Sequence, residues 1–219
     1  MKAHIHRIRK SYSAHFENRQ FVVSFLVSFG ILVVSLFVSS LASAYATSAA
    51  SNPVTDIILS NTKVYDMDWA FIYGILVFWI IASLLLLNEP KRLPFALKAI
   101  AIFILIRSVF ITLTHIAVFP THDIIPTTGF MSYFISVDDL FFSGHTGLPF
   151  LLALIFWDEG LLRYFFIASS VFFGAVVLLG HYHYSIDVAA AFFITYTIYR
   201  IAEKLFPKDL RLFRNGIET

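Results

Sequence analysis

Long runs of apolar residues constrain this chain before anything else does. Stretches at about 21–46, 69–88, 95–118, 161–180 and 186–206 reach or approach the roughly 20 residues that cross a hydrocarbon layer. They are apolar on every side and lack the polar face that a helix on a soluble core would carry. A bilayer is the solvent that such segments need. Composition agrees, with 58% hydrophobic residues and a mean hydropathy of +0.79.

The predicted class is an all-α integral membrane protein: a bundle of six transmembrane helices over 21–206, with basic tails at 1–20 and 207–219. The first run follows about twenty polar residues and has no clean small-residue cleavage site, so it reads as a retained helix and not a signal peptide. Residues 1–20, with Lys2, Arg7, Arg9, Lys10, Arg19 and three histidines, read as an irregular solvated tail that sets topology. Ser39, Ser40, Ala42 and Ser43 allow close packing near the end of helix 1, and Trp69 anchors helix 2 at an interface. A fourth, short helix is expected from Ser143 or Thr146 to Trp157, where Asp158-Glu159-Gly160 breaks the run. No repeat and no second domain is visible. The absence of cysteine excludes disulfides and thiolate metal sites, and no Asn-x-Ser/Thr sequon marks a secretory route.

The net charge of +2 is less informative than its distribution. Lys and Arg gather in the first tail, the 89–94 turn and residues 200–214, whereas the loops at 47–68 and 119–142 contain only Lys63. With six crossings the basic segments fall on one side, which predicts cytoplasmic termini. The pieces Ser143-Gly144-His145-Thr146 and His181-Tyr182-His183-Tyr184-Ser185-Ile186-Asp187 then lie at the opposite, non-cytoplasmic face.

Those two pieces hold most of the reactive side chains outside the tails. His183 and Asp187, four apart, would face each other across one turn if helix 6 starts nearby. A carboxylate so placed fixes the tautomer of a nucleophilic or general-base histidine; a purely structural hydrogen-bonded pair is the competing reading. Ser143-Gly144 before a helix offers N–H groups and hydroxyls to an anion, with Thr146 as N-cap and His145 placed to donate a proton; a plain polar cap competes. Arg107, inside helix 3, needs a carboxylate or an anionic ligand. Thr114 shares its face, and Asp139 or Asp187 would serve as its ion-pair partner. Together these residues suit phosphoryl transfer without a metal. A zinc site from His145, His181, His183 and Asp187 would leave Ser143, Gly144 and Arg107 without a role.

At these residues the chain resembles the sphingomyelin synthase family, within the type 2 phosphatidic-acid phosphatase superfamily. Asp139-x3-Ser143-Gly144-His145-Thr146 resembles that family's Gly-Asp-x3-Ser-Gly-His-Thr, and His183-Tyr184-Ser185-Ile186-Asp187-Val188 its His-Tyr-Thr-x-Asp-Val. Arg107 with Thr114 resembles the end of its helix 3 motif, and Pro53-Val54-Thr55-Asp56 echoes Pro-Leu-Pro-Asp. Val137-Asp138 replace Cys-Gly, Ser185 replaces Thr, Ile104 and Phe192 replace tyrosines, and a double arginine is missing.

The resemblance implies transfer of phosphocholine or phosphoethanolamine from a glycerophospholipid to ceramide, diacylglycerol or water, through a phosphohistidine. His183 would be the nucleophile, Asp187 its partner and His145 the acid/base. Arg107, Ser143, Gly144, Thr114, Asp139 and His181 would surround the phosphate. No metal or other cofactor is implied. The partners implied are membrane phospholipids and a lipid alcohol, not nucleic acid; a homo-oligomer is compatible with this. A bacterial inner membrane is the favoured location, with Golgi, ER or plasma membrane as alternatives. Two other readings stand beside it. A lipid phosphate or pyrophosphate phosphatase of the wider superfamily would normally carry Lys-x6-Arg-Pro, and an arginine where Val177 stands. A proton-coupled transporter would place its site at midplane in a repeated fold.

Overall fold

The structure, a computed structural model, describes residues 2–121 and 140–216. In chain order its helices are α1 (Lys2–Glu17), α2 (Arg19–Ala49), α3 (Ala70–Leu87), α4 (Leu93–Leu113), α5 (Gly144–Ile155), α6 (Gly160–Leu179), α7 (Ser185–Leu205) and α8 (Pro207–Asn215). No strand occurs among the described residues. Five helices, α2, α3, α4, α6 and α7, are long and apolar enough to cross a membrane. The sixth apolar helix, α5, has 12 residues and is about 18 Å long.

That short helix is the centre of the bundle. It packs on α4, α6 and α7, and Leu151, Leu152 and Ala153 are wholly buried. Gly147 permits the close approach: a Cβ there would lie 2.7 Å from the Phe103 ring of α4 and 2.9 Å from Thr195 Oγ1 of α7. Phe95, Phe103, Phe142, Phe156 and Phe166 fill the surrounding core. The long α2 behaves differently. It buries only Phe21, Ser28, Ser35, Ala42 and Ala46, mostly seven apart, a narrow stripe that lies against α4. Ser28 and Ser35 satisfy their hydroxyls on their own helix, Phe25 and Leu32 pack partly against the core, and Val23, Leu26, Val27, Phe29, Val33 and Phe37 are exposed, as lipid contact requires.

The two ends of the bundle have distinct chemistry. At one end Tyr12 donates to the Leu87 carbonyl at 2.7 Å, and Arg92 bridges Glu89 and Glu159. Lys98 pairs with Asp209 at 2.6 Å and Arg214 with Asp158 at 3.6 Å. The N-terminal segment, the 89–92 turn, the 156–159 turn and α8 therefore meet there. The starts of α5 and α7 and the 51–65 loop lie at the other end, as the charge pattern predicts for the two reactive pieces.

Three expectations need correction. Residues 1–20 are not an irregular tail: Lys2–Glu17 is helical, Tyr12 stacks on Phe16, His15 packs on Phe21, and Phe16 packs on Phe21 and Phe25. Asn18 then caps α2, accepting from Gln20 N–H and Phe21 N–H. Helix formation also continues into the C-terminal tail, where Pro207 opens α8 and Phe213 enters the core. Finally, α4 stops at Leu113 and not near 118. The chain turns extended at Thr114 and follows the other loop, with Ser51 N–H donating to His115 O at 2.8 Å.

Candidate active site

Capping chemistry builds the site. Ser143, not Thr146, is the N-cap of α5, its Oγ accepting from Thr146 N–H at 3.4 Å. Thr146 is buried one turn inside, donating its hydroxyl to Ser143 Oγ and receiving Ser170 Oγ–H on its carbonyl. At α7 the N-cap is Tyr184 and the first helical residue is Ser185, so His183 precedes the helix. Asp187 occupies the third helical position, where its Oδ2 accepts from Tyr184 N–H at 3.0 Å. The same oxygen lies 3.3 Å from His183 Nδ1. The pair predicted from the four-residue spacing thus forms, through the helix cap and not across one helical turn.

A backbone bond joins the two starts, Ser143 N–H donating to Asp187 O at 3.2 Å. Arg107, in the last third of α4, closes the group: its Nε donates to Phe142 O at 2.8 Å. A Cβ on Gly144 would stand 3.6 Å from that Nε and 3.8 Å from Cζ, so the guanidinium packs directly on the Ser-Gly turn. His145 follows Gly144 directly and so projects from the same Ser-Gly turn that the guanidinium covers. Asp187 and His183 are 1% and 6% exposed, whereas His145 and Arg107 are half-buried. Two imidazoles, a carboxylate and a guanidinium therefore occupy one neighbourhood. Among the described residues no group of three or more His, Asp or Glu side chains is arranged to hold a metal ion.

Several flanking residues were given no role by the sequence. Phe71, in the π-wound first turn of α3, stacks on His145 with ring centroids 4.1 Å apart. Its carbonyl is 3.3 Å from His145 Nε2. Tyr182 also meets Phe71, tilted with ring centroids 4.4 Å apart, and donates its hydroxyl to Asp68. Asp56, noticed only as part of an echo, binds the start of α7: Oδ2 accepts from Ser185 N–H at 2.7 Å. Oδ1 accepts from Ile58 and Leu59 N–H. Burial pushes this carboxyl up, but those backbone donors and the Ser185 hydroxyl outweigh it and hold Asp56 below the usual carboxylate range. No motif rule signals such a bond, because residues 56 and 185 meet only in the fold.

Other expected ligands lie elsewhere. His181 has its Nδ1 2.6 Å from Thr121 Oγ1 and its Nε2 3.2 Å from Thr62 Oγ1, so it fastens two loops together. Thr114 donates its hydroxyl to Phe110 O at 3.1 Å at the end of its own helix. Asp139 lies outside the described residues.

The starts of α5 and α7 thus bring His145, the Ser-Gly cap, His183 and Asp187 to one end of an apolar helical bundle, beside Arg107. Residues 138–204 match the family model described as PAP2 superfamily C-terminal, spanning α5, α6 and nearly all of α7. This similarity supports the type 2 phosphatidic acid phosphatase superfamily and an integral membrane enzyme of the lipid phosphatase or phosphotransferase kind. No curated protein and no solved structure matches the chain.

Proposed function

We propose that this chain is a membrane lipid head-group phosphotransferase. It would move phosphocholine or phosphoethanolamine from a glycerophospholipid to ceramide, diacylglycerol or water through a phosphohistidine on His183. The observation that carries the reading is the junction of the His183–Asp187 pair with Ser143-Gly144-His145 and Arg107. Asp187 accepts the Nδ1 proton of His183 and leaves the Nε2 lone pair to attack phosphorus. The P–O bond to diacylglycerol breaks as the P–N bond forms, and His145 gives the leaving alkoxide its proton. Arg107 and the N–H groups at the start of α5 balance the charge on the equatorial oxygens. In the second half His145 takes the proton of the acceptor hydroxyl, which attacks phosphorus and releases His183.

A diester fits this site better than a phosphate monoester. Val177, where the phosphatases carry an arginine, is fully buried, and its carbonyl accepts from Tyr182 and His183 N–H. One cation fewer suits a ligand of lower charge. We place the termini in the cytoplasm and the site on the far face, α5 making the sixth crossing.

The test is incubation of the protein in mixed lipid vesicles with candidate acceptor alcohols, followed by lipid mass spectrometry. New phosphodiester lipids that vanish in His183→Ala and His145→Ala support the transferase. Release of inorganic phosphate from phosphatidate alone would replace it with the phosphatase.

A further inference from the structure

One cavity lies far from the histidines. It has a volume of about 540 Å³ and lies where the first turns of α2, the second turn of α4 and α8 meet. Since α7 runs 21 residues between the two ends, the separation is about 30 Å. Among the described residues, three cations, Lys98, Lys208 and Arg211, line it with one carboxylate, Asp209.

That carboxylate is already committed. Its Oδ2 accepts from Lys98 Nζ at 2.6 Å and its Oδ1 from Ser24 Oγ at 2.5 Å. Lys98, only 6% exposed, gives a second N–H to Ser24 Oγ at 2.9 Å and has its ammonium over the Phe206 ring at 5.1 Å from the centroid. Neither Lys208 nor Arg211, both exposed, has an ion-pair partner among the described residues. Asn18 spends its Oδ1 on capping α2, so its amide N–H₂ remains as a donor at the rim. A fully paired set of charges would be a structural network. Among the described residues, Lys208, Arg211 and several N–H groups converge on this space with no further carboxylate beside them.

We infer that this cavity binds a phosphate-bearing anion, at a second site separate from the histidine cluster. Because α2 and α4 are membrane-crossing helices, their first turns stand at head-group depth. The polar part of an anionic phospholipid would enter between α2 and α8 with its acyl chains along the exposed apolar side of α2. The same donors serve a free phosphate, so the source is decided by experiment. The site does not depend on the chemistry assigned to His183.

Thermal shift of the full chain is measured in phosphatidylcholine nanodiscs, in nanodiscs that also contain phosphatidylglycerol, and in phosphatidylcholine nanodiscs with inorganic phosphate added. Native mass spectrometry counts retained phosphatidylglycerol. The expected result is stabilisation and retention with phosphatidylglycerol, weakened about 30-fold in Lys208→Ala/Arg211→Ala. Both side chains are exposed on α8, so that variant should match wild type in phosphatidylcholine alone; Arg211→Glu gives the same loss if one substitution is preferred. Stabilisation by inorganic phosphate that needs the same two residues would identify a free anion as the occupant. No stabilisation by either ligand, or equal stabilisation in wild type and the double variant, overturns the site.

Discussion

Asp56→Asn removes one charge at a point where two segments 129 residues apart are joined. In the wild type Oδ2 accepts from Ser185 N–H at 2.7 Å, at the first residue of α7. Oδ1 serves Ile58 and Leu59 N–H at 2.8 and 3.1 Å. An amide has one oxygen, so one set of donors must face its N–H₂. Losing a hydrogen bond to a charged acceptor costs about 1.5–3 kcal/mol, and losing a negative charge at a helix N-terminus about 0.3–1 kcal/mol. The sum, about 2–4 kcal/mol, lowers Tm by roughly 5–12 °C for a chain of this size. Because the folded carboxyl is held below its usual range, its contribution is present above the unfolded pKa of about 4. It is lost as pH falls through the folded value. The difference in Tm between wild type and Asp56→Asn should therefore be full at pH 7 and shrink below about pH 4. Thermal melts by nanodisc-compatible fluorimetry measure it. An unchanged Tm at pH 7, or a difference that persists undiminished in acid, would refute the loop-to-helix clamp.

Three further outcomes are expected. Asp187→Asn keeps an acceptor for Tyr184 N–H but frees His183 to take the other tautomer. Head-group release should fall about 10³–10⁴-fold at nearly unchanged lipid KM, read by mass spectrometry. Phe71→Ala removes the ring stacked on His145, and it should lower kcat more than it raises KM, with Phe71→Tyr restoring most of the loss. Gly147→Ala drives a methyl to 2.7 Å from the Phe103 ring, costing about 1–3 kcal/mol of overpacking and loosening α5 from α4 and α7. The paired change Gly147→Ala with Phe103→Leu should recover part of the lost Tm.

The crossing helices were legible because an all-round apolar run of twenty residues has one explanation, whatever lies around it. The His183–Asp187 contact was legible from spacing, although its route was not. Spacing of four suggests a helical turn, whereas the chain uses the helix cap, and only the backbone of Tyr184 and Ser185 reveals that. The N-terminal segment was misread because charge was weighed above pattern. Tyr12, His15 and Phe16 at helical spacing, and Leu210 with Phe213, were enough to predict packed helices. Thr114 was assigned to a phosphate from its spacing to Arg107 and a motif resemblance, and His181 from its chemical type. Their hydroxyl and ring nitrogens are engaged by neighbours that no linear rule brings near. Phe71 and Asp56 act through single contacts across the fold, on His145 and Ser185, and no periodicity marks such residues.

The central claim is that His183 attacks a lipid phosphorus while His145 serves as the acid and base beside it. Rapid quenching with radiolabelled glycerophospholipid, followed by peptide mapping, reads this directly. The account predicts an acid-labile, base-stable phosphoramidate on His183 alone, absent in His183→Ala and formed far more slowly in His145→Ala. Turnover without any adduct, or an adduct carried by another residue, would contradict it.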